Sequence, residues 1–438
     1  MKKFLILFFF AFLILPNTAF SSDKEKRDTA RQNALHPASF AFNWYQQSAK
    51  AAPDQNLVIS PYGMYRLLGS LYLGSEGKTK KQFENVLGWT ESKELWLENM
   101  KAAYQSLQRE KDLELALGAW VQNKNPIRDS YVEMLRELGD AEVLNVDFAR
   151  DETKDQIDAW GKKNSGGRIT DIPLQISSDT KILLTDLIFF DAQWEDAFNK
   201  KLTRKGYFTS LDGTETRFPI MQRTGNYRLF SQKDWQWLEI PYLGKRFAMG
   251  IFLPNSLEKF SEMEKTISIE LLNECRLNAK KTKVELRLPK FAFSNSNSPV
   301  PVLKKMGIQE AFQTSADFSG IADSNDIMLS EITQTLFLNV NEKGTEAVAV
   351  AAAEFIPKSG MNNIAAKFYA DRPFVFAIYD LESDAILFCG RMVDPKAMES
   401  ELKKIEFIDS IENASEAILS NSQDSENINT KGDGGEIQ

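Results

Sequence analysis

The sequence predicts an α+β fold, on two observations. Helical periodicity fills the first third of the chain, and from Lys181 onward short apolar strands take over, separated by turn signals. The length of 438 residues admits two or three domains of average size, or one large one. A hydrophobic content of 43% and a charged content of 26% are ordinary for a globular chain that buries a core.

In chain order, Ser39–Ala51 carries Phe40 and Trp44 at helical spacing. "NLVIS" is a short strand leading into a helix over Pro61–Leu73. Pro61 suits a first helical turn, where a missing N–H costs nothing, and Ser60 stands before it as the cap. Helices follow at Lys80–Leu87 and Glu94–Gln108, then "LELALGAWV" (Leu113–Val121) alternates like a half-buried strand. A strand at Ala141–Val146 lies between helices near Asp129–Leu138 and Lys154–Lys163. "KILLTDLIFF" (Lys181–Phe190) is nearly continuous in apolar residues, as in a strand covered on both faces. "WQWLEIPYL" and "FAMGIFLP" read as a hairpin about Gly244-Lys245-Arg246, and "VELRLPKFAF", "EITQTLFLNV", "PFVFAIYD" and "AILFCGRM" complete the strands.

The two ends read differently. Lys2, Lys3, the apolar run Phe4–Leu15 and Ala19-Phe20-Ser21 have the form of a cleavable secretory signal over residues 1–21, so the mature protein is expected to be secreted or periplasmic and free of the membrane. From Glu399 onward ten acids face three bases, which places most of the net charge of −8 in a tail over 397–438. That tail is expected to be disordered, with a frayed helix around Ile405–Ile418. The body between is near neutral and offers no nucleic-acid surface.

Several chemistries lack their residues. The one histidine, His36, precedes Pro37 at the edge of the body, so a Ser-His-Asp or Cys-His hydrolase has no well-placed base. Cys275, Cys389 and His36 have no zinc-site spacing, and "NSGGRI" lacks the lysine of a phosphate loop. Two cysteines in apolar context are expected to be free and buried. Neither a metal nor another cofactor is called for, and the chain does not read as an enzyme.

"FYADRPFVFAI" (Phe368–Ile378) resembles the C-terminal signature of the serpins, the serine-protease-inhibitor superfamily. "NLVISPYGM" (Asn56–Met64), "WGKKNSGGRI" (Trp160–Ile169), "IFFDAQW" ending on Trp194, "IPYLGKRFAMGIFLP" (Ile240–Pro254), "LPKFAF" (Leu288–Phe293), "LKKMGIQEAF" (Leu303–Phe312) and "NEKGTEA" (Asn341–Ala347) resemble further family segments, in family order. The resemblance implies one domain over 35–396, with three β-sheets, about nine helices, an exposed reactive loop and a central sheet able to accept another strand. It implies a shutter around Ser60, and a region under the top of the sheet built on Trp194 and a Lys290–Glu342 ion pair, taken as a partly exposed latch. Two departures stand out. Gly63 occupies the place of the family's second shutter serine, and the usual Asn–His pair falls on Asp186 and Gln334, whose side chains are chemically able to bond to each other.

Alone, "EAVAVAAAEF" (Glu346–Phe355) reads as a helix, because alanine is the best helix former. The resemblance makes it a reactive loop that becomes a strand after cleavage. Strand period then places Thr345, Ala347, Ala349, Ala351, Ala353 and Phe355 on the entering face. Glu346, Val348, Val350, Ala352 and Glu354 lie on the other, taken to face solvent, and Gly344 supplies the hinge. Counting the family's usual loop length, fourteen residues on from Gly344, lands on Lys358. The resemblance thus implies Lys358-Ser359 as the scissile bond, with Phe355, Ile356 and Pro357 setting specificity before it. A register slip of one or two would point instead to Phe355 and a chymotrypsin-like target. A lysine there suits a trypsin-like protease, held as a covalent acyl complex by a monomeric inhibitor. The alternative is a non-inhibitory member acting as a carrier or storage-like protein.

Overall fold

A computed structural model describes residues 37–123, 127–139, 141–172, 174, 176–323, 327–329, 332–345, 365–400 and 402–403. Residues 1–21, where a signal is expected, His36 and most of the acidic tail lie outside them.

The chain opens with α1 (37–51), β1 (Leu57–Ile59) and α2 (Pro61–Gly74). As the sequence predicts, the Ser60 hydroxyl accepts from the Gly63 N–H at 3.3 Å, and Pro61 begins the helix. Every residue of α2 is buried, which makes it the axis of the molecule. Small residues let its neighbours close in: a Cβ on Gly69 would overlap the Trp96 ring, and one on Gly63 would lie 2.0 Å from the Asp186 carboxylate.

Next come α3 (Gly77–Leu87), α4 (Lys93–Leu107), β2 (Leu113–Gln122), α5 (Asp129–Gly139), β3 (Glu142–Val146) and α6 (Glu152–Asn164). The strand-rich part follows with β4 (Ile182–Phe190), β5 (Ala192–Gln193), β6 (Arg204–Thr209), β7 (Glu215–Ser231), β8 (Trp235–Pro241) and β9 (Phe247–Pro254). After α7 (Phe260–Thr266) and α8 (Ile269–Asn278) come β10 (Lys280–Pro289), β11 (Phe291–Asn297), α9 (Val300–Met306), β12 (Thr333–Val340), β13 (Gly344–Thr345), β14 (Ala366–Tyr369), β15 (Phe374–Asp380) and β16 (Ile386–Met392). Residues 396–400 are helical, and buried Met398 and Leu402 carry the packed body past residue 396.

Two hydrogen-bonded ladders result. One runs β1-β16-β15-β9-β8-β7-β10-β14 with β6 on β7; the other runs β3-β2-β4-β12-β13-β5 with β11 on β12. The three expected sheets merge into two ladders because the 17-residue β7 pairs with β6 at its start and with β8 at its end. "VELRLPKFAF", read as one strand, is two. The chain leaves β10 at Pro289 and enters the other sheet as β11 at Phe291, with Lys290 at the corner. Edge-on contacts of Phe190 with Tyr242 (5.0 Å) and Phe247 (5.3 Å) join the two sheets at the core. Cys275 and Cys389 are free and buried, and burial pushes the Cys275 thiol up to about 12.

Candidate functional site

The site lies in the second ladder, where β4 and β12 meet. They are parallel and pair directly from Thr185↔Thr333 to Phe189↔Phe337. Above that level they part, and β13 stands between them. Thr345 pairs with Val340 of β12 on one side and with Ala192 of β5 on the other, antiparallel to both. The register is common to both levels: Val340 and Ala192 differ by 148 in number, as do Gln334 and Asp186 lower down. An antiparallel strand continuing from β13 thus finds its two neighbours in frame along their whole length.

Glycine at 344 is required by close approach. A Cβ there would lie 2.0 Å from the Ala192 carbonyl oxygen and 2.6 Å from the Gln193 Cα, both backbone atoms. Thr345 is buried, and its hydroxyl shares a 2.7 Å hydrogen bond with the Tyr242 hydroxyl. Tyr242 stacks on Trp194 with ring centres 4.4 Å apart, and burial raises its phenol pKa. Trp194 donates its indole N–H to the Asn341 carbonyl at 3.0 Å, so the tryptophan expected beneath the top of the sheet holds the turn into β13.

Glu342 and Lys290 stand 3.6 Å apart, as the resemblance implies. The expectation of a partly exposed pair is corrected, since the Glu342 carboxylate is buried. It also accepts from the Thr203 hydroxyl at 2.8 Å, and its carbonyl accepts from the Phe198 N–H at 2.7 Å. Glu342 is thus fixed by three contacts just before the glycine.

Lower down, Asp186 and Gln334 face each other in register, but their side chains turn to different partners. Gln334 accepts from the Ser60 N–H at 2.9 Å and donates to the Ser60 carbonyl at 2.8 Å. Asp186 Oδ1 accepts from Arg66 Nη2 at 2.6 Å and Nε at 3.1 Å. A guanidinium outbids a neutral amide for a carboxylate. Arg66 Nη2 also donates to the Ala116 carbonyl of β2 at 3.0 Å, and both side chains of the pair are fully buried. Burial outweighs the arginine and lifts the Asp186 carboxyl above its ordinary range. Asp186 Oδ2 and Arg66 Nη1 have no hydrogen-bond partner. Breaking one partner from such a pair costs about 3–5 kcal/mol, whereas neutral hydrogen bonds contribute about 1 kcal/mol each.

Arg66, Tyr242 and Thr203 were not singled out from sequence. Arg66 had a signal: a lone cation in "MYRLLGS" and a lone anion in "LLTDLIFF" each need a partner once buried. Glu346, Ala347, Val348, Ala349, Val350, Ala351, Phe355, Ile356, Pro357, Lys358 and Ser359 lie outside the described residues. Among the described residues no cluster of His, Cys, Asp or Glu could hold a metal ion.

A sheet that parts at one end to admit the first residues of an antiparallel strand defines a strand-accepting fold. The sequence profile of the family described as Serpin (serine protease inhibitor) matches residues 36–395, and the chain belongs to that family. An uncharacterized serpin-like protein of Thermococcus kodakarensis is 33% identical over 389 residues, covering 87% of this chain and 90% of the relative. Human thyroxine-binding globulin complexed with its ligand is similar in structure, with a TM-score of 0.76, 26% identity and coverage of 84% and 99%. Native protease nexin-1 with heparin gives a TM-score of 0.74 at 26% identity, covering 84% and 100%. Members of the family are generally protease inhibitors rather than catalysts.

Two outcomes follow at the hinge. Gly344→Ala drives β13 out of the ladder, because its methyl has only rigid backbone to displace. Hydrogen exchange across 341–345 should rise by at least tenfold while that of β12 stays slow; unchanged protection would show that the close approach is relieved otherwise.

Asp191, between β4 and β5, supplies a pH dependence. Burial, helped by neighbouring Asp112, pushes its carboxyl up to about 6, against the pull of Arg168 and Lys343. The folded state therefore holds this proton more tightly than the unfolded chain, whose ordinary value is 3.8. The charged form weakens the fold above about 6, and that loss is recovered as pH falls from about 6 toward 3.8. Asp191→Asn should melt higher than wild type at pH 8, with the gap closing by pH 4; a gap independent of pH would contradict the assignment.

Proposed function

We propose that this serpin is a suicide-substrate inhibitor of trypsin-like serine proteases, exported by its N-terminal signal, cut at Lys358-Ser359 and completed by insertion of the freed loop between β4 and β12. One observation carries the reading: Gly344 and Thr345 already form the first rung of a middle strand, in the register the rest of the gap requires. Continuing that register sets residue 349 between Ile188 and Leu336, and residue 351 between Asp186 and Gln334. Thr345 is buried on the core side, so Ala347, Ala349, Ala351 and Ala353 enter on that same side. Alanine adds the smallest side chain that still favours a fixed backbone to an interior that is already packed.

Insertion replaces one parallel interface by two antiparallel ones. About a dozen new backbone bonds at roughly 1 kcal/mol each match the whole stability of an ordinary domain, about 5–15 kcal/mol. The uncut form is then held by a barrier rather than by depth. Strand formation drags the acyl-linked protease away before water releases it.

A carrier function is the second reading, favoured by the likeness to thyroxine-binding globulin in complex with thyroxine. Mixing the purified protein with trypsin separates the two. The inhibitor gives an SDS-resistant adduct near the summed masses and a cleavage product beginning at Ser359, and Lys358→Ala gives neither. A clean digest with no adduct, and a cut protein that melts no higher than the intact one, would leave the carrier.

The side-chain alternation has its own test. Ala349→Glu drives a carboxylate into the core side without a partner, at a cost of several kcal/mol, and each 1.4 kcal/mol slows insertion about tenfold. The variant should become a substrate that releases active protease. A glutamate at 350 would not face open solvent as its alternation suggests, because its register neighbours Leu187 and Thr335 are buried: Trp120 bonds Thr185 on that face, and Trp160 of α6 packs on Trp120. In the same register residue 348 would fall between half-buried Phe189 and buried Phe337, so Val348→Glu should keep more of the inhibition than Ala349→Glu. Equal loss in the two variants would refute the alternation.

A further inference from the structure

The helix α2 packs on β16 of the first ladder, and polar bonds tie it to the second ladder at two points. Toward β12 it is held through Gln334, whose amide makes two neutral hydrogen bonds to the Ser60 backbone. Toward β2 and β4 it is held through Arg66, which bonds the Ala116 carbonyl of β2 and the Asp186 carboxylate of β4. The Arg66 guanidinium also lies over the Tyr104 ring of α4, 5.6 Å from its centre, and against Gly139 of α5. Its socket is thus built wholly from elements on one side of the β4–β12 junction.

Parting β4 from β12 has to release one set of bonds or the other. Resting on the loop-insertion reading, we infer that Arg66 pins α2 to the β2–β4 side, so that the sheet opens between α2 and β12, at the Gln334–Ser60 bonds. Three observations favour this seam. Releasing Arg66 would leave a buried carboxylate with no cation, and Asp186 Oδ2 already lacks a partner. Sliding β4 along α2 has no slack, because Oδ2 sits where a Gly63 Cβ would be. The Gln334 bonds are neutral and few, and the polar groups they free would face the backbone of the arriving strand.

The test follows conversion of the intact, full-length protein to a heat-resistant form a few degrees below its melting midpoint. Gln334→Ala removes the seam and should convert at least tenfold faster than wild type. The double variant Arg66→Met/Asp186→Leu replaces the pair by apolar groups of similar size, which keeps the fold, and should convert within about threefold of wild type. Hydrogen exchange gives a second readout: on insertion the Ser60 amide should lose protection while Asp186 and its β2 partner Leu117 keep theirs. A double variant that accelerates as much as Gln334→Ala, or a Ser60 amide that stays protected, would overturn the inference while leaving insertion intact. A wild-type protein that gains no heat resistance when its loop is cut would overturn insertion and the seam together.

Discussion

The pairing of β4 with β12 is the constraint on which the rest of the structure depends. Five rungs of parallel ladder join two strands that could each accept an antiparallel neighbour instead. Parallel pairing is somewhat the weaker arrangement per residue. A strand placed between them exchanges one such interface for two of the stronger kind. The geometry is already prepared: the same offset of 148 relates the two strands where they touch and where β13 separates them. No slip of register stands between the present pairing and a fully interleaved one, so side-chain faces keep their sense from Thr345 downward.

The top of the sheet is built to hold this arrangement at its first rung. Glu342 is fixed by Thr203, Lys290 and the Phe198 amide, and Asn341 by the Trp194 indole. Gly344 follows at once, pressed against Ala192 in a place no side chain fits. The Thr345–Tyr242 bond then closes the rung with a single neutral hydroxyl pair. Charged and indole contacts thus anchor the chain before the glycine, and one neutral hydroxyl pair anchors it after. Asp191 adds a mild counterweight, since its carboxyl sits at the divergence of the strands, with one oxygen unpaired.

Much of this was legible in the sequence, for identifiable reasons. The Ser60 cap, the proline start of α2 and the buried run of β4 are local features, and they formed as read. Glu342, Lys290 and Trp194 took their expected places because eight segments in family order fix the frame. What sequence reasoning missed is long-range partner choice. Asp186 and Gln334 were correctly placed face to face, yet the carboxylate turned to an arginine 120 positions away. Burial of Glu342 was equally hidden, since it depends on Thr203 and Phe198 arriving from another part of the chain. The face carrying Leu187 and Thr335 looked open because their burial, with Trp160 of α6 packed on Trp120 of the neighbouring β2, leaves no trace in a local alternation pattern.

A fully buried arginine–aspartate pair is no obvious gain in stability, since apolar residues of the same size would often serve as well or better. Its effect here is to bind α2, β2 and β4 into one body, leaving Gln334 as the neutral tie to β12. If that body moves as a unit, the ion pair is intact before and after the sheet opens, and its large desolvation cost cancels between the two states. The barrier then rests on a few neutral bonds at Ser60, while the driving force rests on the rungs gained between β4 and β12. The two quantities that define a kinetically held state are thereby assigned to different residues. Either can be tuned by substitution without disturbing the other, which is what a protein poised between two ladders requires.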